Sequence, residues 1–460
     1  MLYNLVGRGN KLSTYFLSFR AVQPGMKPET NMPMIGVLRT GDQALVRQIN
    51  LSVIMSSLRK NAPISRAALA NATGLNKTTV SSLVSELIDR QFVRENGVSN
   101  SGTGRPAIML TLNPAAGYIV SCEIGVDFIL VICTNFAPEI IWRQEEHIGP
   151  DLDQRTILDR ALILLRKAIN AGQAISRTPL GIAIGVPGLV DQVSGTLLYA
   201  PNLKWKGIPL RSILQESFDC PLYVDNEANI AALGEYYFGA AQGYNEVLYI
   251  SSGVGLGGGI LHNGQMFSGV TGVGAEFGHM TMDPDGEPCS CGNRGCWETQ
   301  VSQSALFRHI KKNIATGVSS RLKEMVDGNF DALTVPMTVA AARQGDRVAL
   351  EAIENIGHFL GIGIASLVNA LNPELVVFGG VLSLAGEFLL PVINKELNLR
   401  ALAWSREATR LVLAHHGSDA CVMGGVAAVY QTILAKPNHS GTITNESTAQ
   451  FISSEFMSAR

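Results

Sequence analysis

One histidine and three cysteines form the most chemically specific feature of this sequence. His279 is followed by Cys289, Cys291 and Cys296, a spacing of H-x9-C-x-C-x4-C with glycines between the last two cysteines. One imidazole and three thiolates are the donor set that tetrahedral zinc prefers, and four protein ligands leave no open coordination position for catalysis. The spacing therefore predicts one structural zinc ion per chain, with a reduced loop of incidental thiols as the alternative.

Carboxylates flank this cluster and suggest a ligand site beside the metal. Glu276 lies three residues before His279, and Glu298 comes just after the last cysteine. Asn226 and Glu227 follow a predicted strand, and open α/β sheets bind ligands at the carboxyl ends of their strands. Clustered carboxylates, an amide and an imidazole can hydrogen-bond several hydroxyls at once, as sugar binding requires. Asn226 and Glu227 alone are equally well explained as a helix cap.

The elements that position these residues belong to a chain of 460 residues, long enough for about three domains. No uninterrupted apolar run approaches the roughly 18 residues of a membrane span, because polar residues break even the stretch 356–371. The N-terminus lacks the pattern of a secretory signal, and the other cysteines are scattered among apolar neighbours, as buried free thiols are. These features predict a cytoplasmic protein with no membrane partner.

Charge is distributed unevenly along the chain. Residues 34–112 carry nine Lys and Arg against four Asp and Glu, and residues 1–33 carry four against one, although the whole chain has a net charge of −2. The remainder, 113–460, is therefore acidic. A basic front end on an acidic body predicts a module that binds a polyanion such as DNA.

The basic segment has the pattern of a helix-turn-helix. Apolar periodicity predicts a first helix over 44–60, Ser65 can cap a second over 66–72, and Asn76 can cap a third that runs to about Gln91. An apolar stripe on the third helix lies opposite small polar residues, which is the pattern of a recognition helix. The stripe consists of Val80, Leu83, Val84, Leu87 and Ile88.

A predicted hairpin follows, with strands near 92–97 and 108–112, and would form the wing of a winged helix-turn-helix domain over 34–112. The alternative is a three-helix scaffold without a role in DNA binding. Thr, Ser and Lys at a helix start can contact phosphates and base edges, and arginines can reach phosphates or a minor groove. The predicted operator contacts are Lys77, Thr78, Thr79, Ser81 and Ser82 on the third helix, with Arg66, Arg94 and Arg105 beside it.

The body, 113–436, alternates strands and helices and is predicted to be an α/β protein with two lobes and a cleft between them. The termini, 1–33 and 437–460, lack periodicity and are predicted to be loose. The Gly-rich stretch 253–259 is predicted to be a turn between two paired strands. The predicted elements are hairpin strands 118–123 and 129–134, helix 156–171, strands 180–185 and 222–224, helix 227–238, strands 246–251 and 260–261, helix 348–371 and strand 375–378.

Four segments together give a specific family resemblance. They are Val224–Glu235 (VDNEANIAALGE), Gly274–His279 (GAEFGH), the cysteine loop and Gly361–Gly380 (GIGIASLVNALNPELVVFGG). The chain from about Thr40 to Ala435 resembles the ROK family of repressors, open reading frames and sugar kinases, and its front end resembles the xylose and N-acetylglucosamine repressor branch. The resemblance implies a hexokinase/actin-like two-lobed α/β body, with an RNase H-like motif repeated, preceded by an N-terminal winged helix-turn-helix domain.

The resemblance also implies roles for single residues. His279 can serve two sets, because one ring nitrogen can ligate zinc while the other faces a hydroxyl. The zinc ligands of the family fall on His279, Cys289, Cys291 and Cys296. Its sugar contacts fall on Asn226, Glu227, Glu276, His279 and Glu298, and Asn202 is expected to line the same cleft.

Two departures from the family pattern favour a repressor over a kinase. Family kinases place an Asp where this chain has Glu227, which lengthens the side chain by about an ångström, so Glu227 is a vestigial base position. Their first phosphate loop is D-x-G-G-T, whereas this chain has Glu123-Ile124-Gly125-Val126-Asp127. A valine replaces the second glycine, and the anionic Asp would repel phosphates.

The sequence thus predicts a sugar-responsive transcriptional repressor without enzymatic activity. Its expected partners are operator DNA, a small sugar or sugar phosphate as effector, and further copies of itself in a homodimer or tetramer. An ATP-dependent sugar kinase that retains DNA binding is the enzyme alternative. A scaffold that a protein partner regulates, with no response to sugar, is the third.

Overall fold

The first described elements are three helices and a small antiparallel sheet. The computed structural model describes residues 43–99, 106–149 and 152–435. Ser65 accepts a hydrogen bond from Ala68 N and Asn76 accepts one from Thr79 N, which confirms both predicted helix caps. Gly74 makes the turn between these helices with φ 71°. The elements are α1 (Gln43–Asn61), β1 (Ile64–Ser65), α2 (Arg66–Thr73), α3 (Lys77–Asp89), β2 (Val93–Ser99) and β3 (Ala107–Leu112).

The apolar faces of these elements form one core under the sheet, whose strand order is β1-β3-β2. The stripe of α3 is buried as predicted, except that Ile88 is only partly buried. In α1, Leu51 and Leu58 are buried, whereas Ile49 and Val53 are exposed. The helix thus buries one face and leaves apolar side chains on another.

The first lobe of the body is a five-stranded sheet with the order β11-β7-β4-β5-β6, next to a small antiparallel sheet of β8, β9 and β10. β4, β5 and β6 are antiparallel, whereas β7 and β11 are parallel to β4. The elements are β4 (Tyr118–Ile124), β5 (Phe128–Asn135), β6 (Ile140–His147), α4 (Gln154–Gln173), β7 (Pro179–Val186), β8 (Leu189–Asp191), β9 (Thr196–Ala200), β10 (Trp205–Ile208), α5 (Leu210–Gln215) and β11 (Leu222–Asn226).

The second lobe repeats this arrangement, with the order β14-β13-β12-β15-β16. Its first three strands are antiparallel and the last two are parallel to β12, so both lobes carry the same five-stranded motif. From the end of β11 onward the elements are α6 (Glu227–Phe238), β12 (Glu246–Ser252), β13 (Leu256–His262), β14 (Gln265–Met266), α7 (Glu298–Val301), α8 (Gln303–Ala315), α9 (Arg321–Met325), α10 (Val335–Arg343), α11 (Arg347–Leu371), β15 (Leu375–Gly379), α12 (Gly386–Arg400), α13 (Ala403–Ala408), β16 (Arg410–Leu413) and α14 (Ala420–Ala435), of which α6 and α14 lie between the lobes.

The predicted turn over 253–259 is wrong in its second half. Gly257, Gly258 and Gly259 lie inside β13 and pair with β12. A Cβ at Gly258 would lie 2.0 Å from the Phe277 ring. These glycines are therefore a strand packed closely against the segment that carries His279, and only 253–255 form the turn.

Helices α6 and α14 cross closely between the two lobes. A Cβ at Gly234 of α6 would lie 2.7 Å from Gly424 N, and a Cβ at Gly424 of α14 would lie 1.7 Å from Ile230 O. Two glycines at a helix crossing allow the backbones to touch, because no side chain separates them. α6 therefore has a fixed position between the lobes.

One helix among the described residues, α11, is long and apolar enough to cross a membrane, but 61% of its most apolar window is buried inside the protein. It packs against α8 and α12 in the core of the second lobe. The predictions for the termini, 1–33 and 437–460, lie outside the described residues.

Candidate functional site

The predicted metal ligands come together. The Nδ1 atom of His279 and the Sγ atoms of Cys289, Cys291 and Cys296 all lie within 4.8 Å of one another. Cys289 Sγ is 3.6 Å from His279 Nδ1, and Cys291 Sγ is 3.7 Å from Cys296 Sγ. The group thus has the size of a four-ligand metal centre.

Tight turns in the cysteine loop produce this convergence. Cys289 N donates to Asn293 O at 2.8 Å, and Gly295 N donates to Glu287 O at 2.8 Å. Gly295 has φ 60°, and a Cβ there would lie 1.5 Å from Asp283 O, so this position requires glycine. These bonds fold the loop into a compact hairpin-like unit.

Trp297 anchors the loop in the second lobe. Its side chain is fully buried, and its Nε1 donates to Phe359 O on α11 at 2.9 Å. A Cβ at Gly363 would lie 2.1 Å from the indole, so α11 has a glycine where the ring packs. The next residue, Glu298, begins α7 and is held beside the metal-ligand group.

Two of the predicted sugar contacts, Glu276 and Glu298, lie beside that group, and a third, His279, belongs to it. Glu298 Oε1 accepts from Cys289 Sγ at 2.8 Å and lies 3.7 Å from His279 Nδ1. The other ring nitrogen, His279 Nε2, lies 4.0 Å from Glu276 Oε2. His279 therefore presents Nδ1 to Cys289 and Nε2 to Glu276, and its dual role remains a prediction. Burial raises the pKa of Glu276, and nearby His279 opposes that shift.

Glycines at the start of β13 form the surface between these carboxylates. A Cβ at Gly255 would lie 2.9 Å from Glu298 Oε2 and 3.7 Å from the side-chain nitrogen of Asn202. A Cβ at Gly257 would lie 3.9 Å from Glu227 Oε1. Asn202, Glu227 and Glu298 therefore face one patch of bare backbone, where a ligand could approach closely.

Two half-buried carboxyl groups lie on the first-lobe side of the same patch. Burial raises the pKa of Glu227 to about 8, and the neighbouring Glu123 adds to the shift. Burial likewise raises the pKa of Glu123 to about 8, although a hydrogen bond with Cys421 opposes this. Glu227 Oε2 is buried without a hydrogen-bond partner among the described residues. Such an oxygen is satisfied when a ligand supplies the missing partner.

Asn226 is already engaged in the structure. Its Oδ1 accepts from Ala228 N at 2.8 Å and from Asn229 N at 3.2 Å, and its Nδ2 donates to Gly188 O at 3.0 Å. The side chain thus caps α6 and ties it to the first lobe. A ligand contact from Asn226 remains a prediction.

The polar face of α3 is exposed. Lys77, Thr78, Ser81 and Ser82 are exposed, and Thr79 is partly buried. On the same helix Glu86 forms ion pairs with Arg47 of α1 and, at 2.7 Å, with Arg90. The start of α3 is therefore open to a partner while its end is tied to the domain.

The three predicted arginine contacts have different surroundings. Arg66 pairs with Glu95 of β2 at 2.9 Å. Arg94 lines a cavity between this domain and the body, where its Nε lies 3.5 Å from Thr111 Oγ1. Arg105 lies outside the described residues.

Sequence reasoning missed Glu123 and Gly255 as parts of the site. Glu123 is the one carboxylate in the otherwise largely apolar strand β4, where it is partly buried. Placing a carboxylate in an apolar environment costs free energy, so such a residue is a candidate for a functional role. For Gly255 the sequence predicts only a place in the turn over 253–259. Both residues are far in sequence from Glu227 and Glu298, so only the folded structure shows that they lie near these carboxyl groups.

Comparisons with known proteins match both parts of the chain. The ROK family pattern matches residues 119–432, and a winged helix-turn-helix DNA-binding pattern matches residues 50–94. A putative xylose repressor of Caldicellulosiruptor sp. (strain Rt8B.4) is 39% identical over 400 residues, which cover 87% of this chain and 100% of the relative.

Two solved structures resemble different extents of the chain. The crystal structure of a ROK family transcriptional regulator, a homolog of the E. coli MLC protein, has a TM-score of 0.72 and 29% identity and covers 85% of this chain and 97% of its own. A ROK family glucokinase from Streptomyces griseus, in complex with glucose and AMPPNP, has a TM-score of 0.62 and 31% identity and covers 68% of this chain and 100% of its own.

Proposed function

The chain belongs to the ROK family, and we propose that it is a transcriptional repressor whose binding to operator DNA responds to a sugar bound in the cleft of its body. The extent of the matches carries this proposal. The repressor relative and the regulator structure both match more than four fifths of the chain, which includes the winged helix-turn-helix domain, whereas the glucokinase matches about two thirds. The longer matches support a protein that consists of a body and a DNA-binding domain, as the repressor proposal requires.

The open face of α3 supports a role in DNA recognition. We assign the operator contacts to Lys77, Thr78, Thr79, Ser81 and Ser82, because Thr, Ser and Lys at a helix start can contact phosphates and base edges. Arg66 would exchange its ion pair with Glu95 for a phosphate, and Arg105 and Arg94 remain predicted contacts.

The test uses DNA fragments that the wild-type protein selects from genomic DNA, with affinities measured by fluorescence anisotropy. Lys77→Ala should weaken binding about five- to tenfold and reduce the slope of log affinity against log salt by about one. Lys167→Ala, an exposed lysine on α4, is the matched control and should bind as the wild type does. An undiminished affinity after deletion of residues 34–112 would refute the assignment.

The cleft supports binding of a polyhydroxylated ligand. Asn202, Glu227 and Glu298 face the bare backbone of β13, and Glu276 with His279 Nε2 lies beside them. We propose that these groups hydrogen-bond the hydroxyls of an aldose, with D-xylose as the first sugar to test because of the name of the matching relative. Isothermal calorimetry tests sugar binding with a panel of pentoses, hexoses and N-acetyl sugars. A DNA-binding assay at a saturating concentration of the sugar that binds then tests whether that sugar releases DNA. Release of DNA by a protein partner, with no response to any sugar, would favour the scaffold alternative.

Helix α6 offers a direct connection from this cleft to the DNA-binding domain. It begins at Glu227 in the cleft and spans twelve residues, about 18 Å, to Phe238. At its far end Arg59 of α1 donates to Tyr237 O and lies 4.6 Å above the Tyr237 ring. A sugar that shifts the start of α6 would therefore move the support of α1, and the equilibrium between two such positions would couple the sites.

We propose that the histidine and three cysteines hold a structural zinc ion. Zinc–sulfur bonds of about 2.3 Å and zinc–nitrogen bonds of about 2.0 Å place tetrahedral ligand atoms about 3.5–3.8 Å apart. The measured separations of 3.6 and 3.7 Å agree with those values. Zinc here would fix His279 and hold the adjacent Glu298 toward the sugar, and four protein ligands would leave no position for catalysis.

The kinase alternative is supported by the likeness of the body to the glucokinase. Against it, Asp127 is exposed at the β4–β5 turn, where an anionic side chain would repel a nucleotide phosphate. A coupled assay with Mg-ATP and the same sugar panel distinguishes the two functions. We expect no turnover, and a rate on the order of 1 per second would establish a kinase.

We also propose that the protein is a homodimer or tetramer and acts in the cytoplasm, where operator DNA is found. Leu399, Leu402 and Trp404 are 69%, 61% and 83% exposed and close in sequence, and Asn369 of α11 ties to this segment through Leu402 N at 2.8 Å. An apolar patch of this kind favours contact with a second copy. Trp404→Glu should lower the mass measured by light scattering, and an unchanged mass would place the interface elsewhere.

A further inference from the structure

A second cavity lies between the winged helix-turn-helix domain and the body. It has a volume of about 520 Å³ and is lined by α1, β2 and β3 on one side and by the ends of α6 and α14 that face them on the other. None of the cleft residues assigned to sugar is part of its lining. Its volume is in the range of small-molecule sites.

Arg59 gives this cavity a partly buried cation. One of its terminal nitrogens donates to Tyr237 O, and its Nε is buried without a hydrogen-bond partner among the described residues. Burial lowers the pKa of this guanidinium, because its charge is only partly solvated. An anionic group in the cavity would supply both the missing acceptor and the missing counter-charge.

A second arginine gives the cavity an excess of positive charge. Arg94 lies in the lining and makes only a long contact of 3.5 Å with Thr111 Oγ1 among the bonds of the described residues. The acid in the described lining, Glu139, accepts from Asn135 Nδ2 at 2.7 Å. Two guanidinium groups therefore face one carboxylate that is already engaged.

His416 adds a polar group of a different kind. The ring bonds to the backbone of Phe238, and its Nε2 is buried without a partner in the part of the chain that the structure describes. Burial lowers the pKa of His416, which keeps the imidazole neutral. If Nδ1 carries the proton toward the Phe238 carbonyl, Nε2 is an acceptor, and a ligand hydroxyl can donate to it.

We propose that this cavity binds a small hydroxylated organic anion, a phosphate ester or a hydroxy acid, through Arg59, Arg94 and His416. The anionic group lies between the two guanidinium groups, and a hydroxyl donates to His416 Nε2. Leu58 and Met423 supply apolar walls from α1 and α14. The site goes beyond the proposed function, since it does not require that the cleft bind a sugar or that α3 bind DNA.

Binding at this site does not depend on the proposed function, but an effector role rests on it: in a repressor, the occupant would be a second effector of DNA binding. The ligand would touch α1, β2 and α14 at once, so it would favour one orientation of the DNA-binding domain on the body. Arg59 also contacts the end of α6, which begins in the cleft. Ligand binding at either site would therefore change the environment of Arg59.

Thermal-shift measurements on the full chain test this proposal with three probes, namely glycerol 3-phosphate, 3-phosphoglycerate and L-malate. At about 10 mM, at least one probe should raise the melting temperature by about 2–4 °C, as a dissociation constant near 1 mM implies. Arg94→Ala should abolish the shift, and Arg94→Lys should weaken it because lysine lacks the planar fork. Lys60→Ala, the neighbouring exposed cation on α1, is the matched control and should keep it.

Two comparisons separate specific binding from other causes. Succinate and inorganic phosphate lack the hydroxyl and should give a smaller shift than malate and glycerol 3-phosphate respectively. Glu276→Gln, which impairs the cleft, should leave the shift unchanged. The proposal is overturned by any of three results: no shift with any probe, an equal shift in Arg94→Ala, or a shift that succinate and phosphate reproduce in full. These melting-temperature shifts are measured without DNA, so their outcome does not depend on whether the protein is a repressor.

Discussion

The two lobes of the body have the same strand order but place the residues proposed to bind sugar in different ways. In the first lobe, Glu123 lies on β4, and Glu227 follows β11 directly. In the second lobe, Glu276 precedes a 3-10 turn that ends at His279, and Glu298 follows the cysteine loop. One lobe thus places carboxyl groups by regular strands, and the other by an irregular segment that a metal can brace.

This difference has a chemical consequence. Burial raises the pKa values of Glu123 and Glu227 to about 8, so both side chains are protonated at neutral pH and can donate hydrogen bonds. Glu276 has a side chain that is 43% exposed and faces His279. A sugar in the cleft would then meet neutral carboxyl groups on one side and a metal-braced, more polar surface on the other.

Loss of the metal should affect the second lobe most strongly. Cys291→Ser should reduce the zinc content from about one ion per chain to near zero, because a hydroxyl is a poor substitute for a thiolate ligand. The cysteine loop should then lose order and sugar affinity should fall more than tenfold, since structural zinc contributes folding energy on the order of 10 kcal/mol in small domains. Elemental analysis and calorimetry measure the two effects.

Cys220→Ser is the matched control for this change. Cys220 is a partly buried free thiol of the first lobe and takes no part in the cluster, so zinc content and sugar affinity should stay at wild-type values. A full zinc complement in Cys291→Ser would contradict the site. An unchanged sugar affinity in a zinc-free protein would separate the metal from the cleft.

Two amide substitutions compare the lobes directly. Glu276→Gln should lower sugar affinity about tenfold or more, because it removes a charge-assisted hydrogen bond. Glu227→Gln should lower it only about threefold, since an amide resembles the protonated carboxyl group that burial favours there. Calorimetry at pH 7 measures both, and a larger loss in Glu227→Gln would show that this carboxyl binds sugar in its ionised form.

The fold and the metal group could be predicted because their signals are local. Ser65 and Asn76 identified the helix starts, and the spacing from His279 to Cys296 identified four side chains that the structure brings within 4.8 Å of one another. The carboxyl pair could not be predicted in the same way. Glu123 and Glu227 are far apart in sequence, and only the parallel pairing of β4, β7 and β11 brings their strands into one sheet.

The cavity beside Arg94 shows the same limitation. An arginine on a wing strand predicts a phosphate contact when only the domain is considered, but the body supplies the other wall of a cavity that contains Arg94. The Gly-rich segment after β12 shows the same limitation. Its glycines favour a turn when the sequence is considered alone, but Gly258 is a strand residue because Phe277 packs closely against it. Tertiary contacts decided each case.

The buried carboxyl pair should make stability depend on pH. The ordinary pKa of a glutamate is 4.5, and burial raises that of Glu123 to about 8, so the folded state keeps a proton that the unfolded state releases between these values. This contribution is complete at low pH and is lost as the pH rises toward 8. The melting temperature of Glu123→Gln relative to wild type should therefore rise by a few degrees between about pH 5.5 and pH 8.5. A constant difference across this range would show that Glu123 is solvated.

The smallest expected effect on sugar affinity comes from adding a single methyl group at Gly255, next to Glu298 of the second lobe. In Gly255→Ala the new Cβ would lie 2.9 Å from Glu298 Oε2, so that carboxylate must move by a few tenths of an ångström. Sugar affinity should fall about two- to threefold with an unchanged zinc content, because the displaced group is next to the metal ligands but is not one of them. Gly149→Ala, where a Cβ would meet nothing within 4 Å, should bind sugar normally. If Gly255→Ala also binds normally, the close approach of ligand to β13 is not part of recognition.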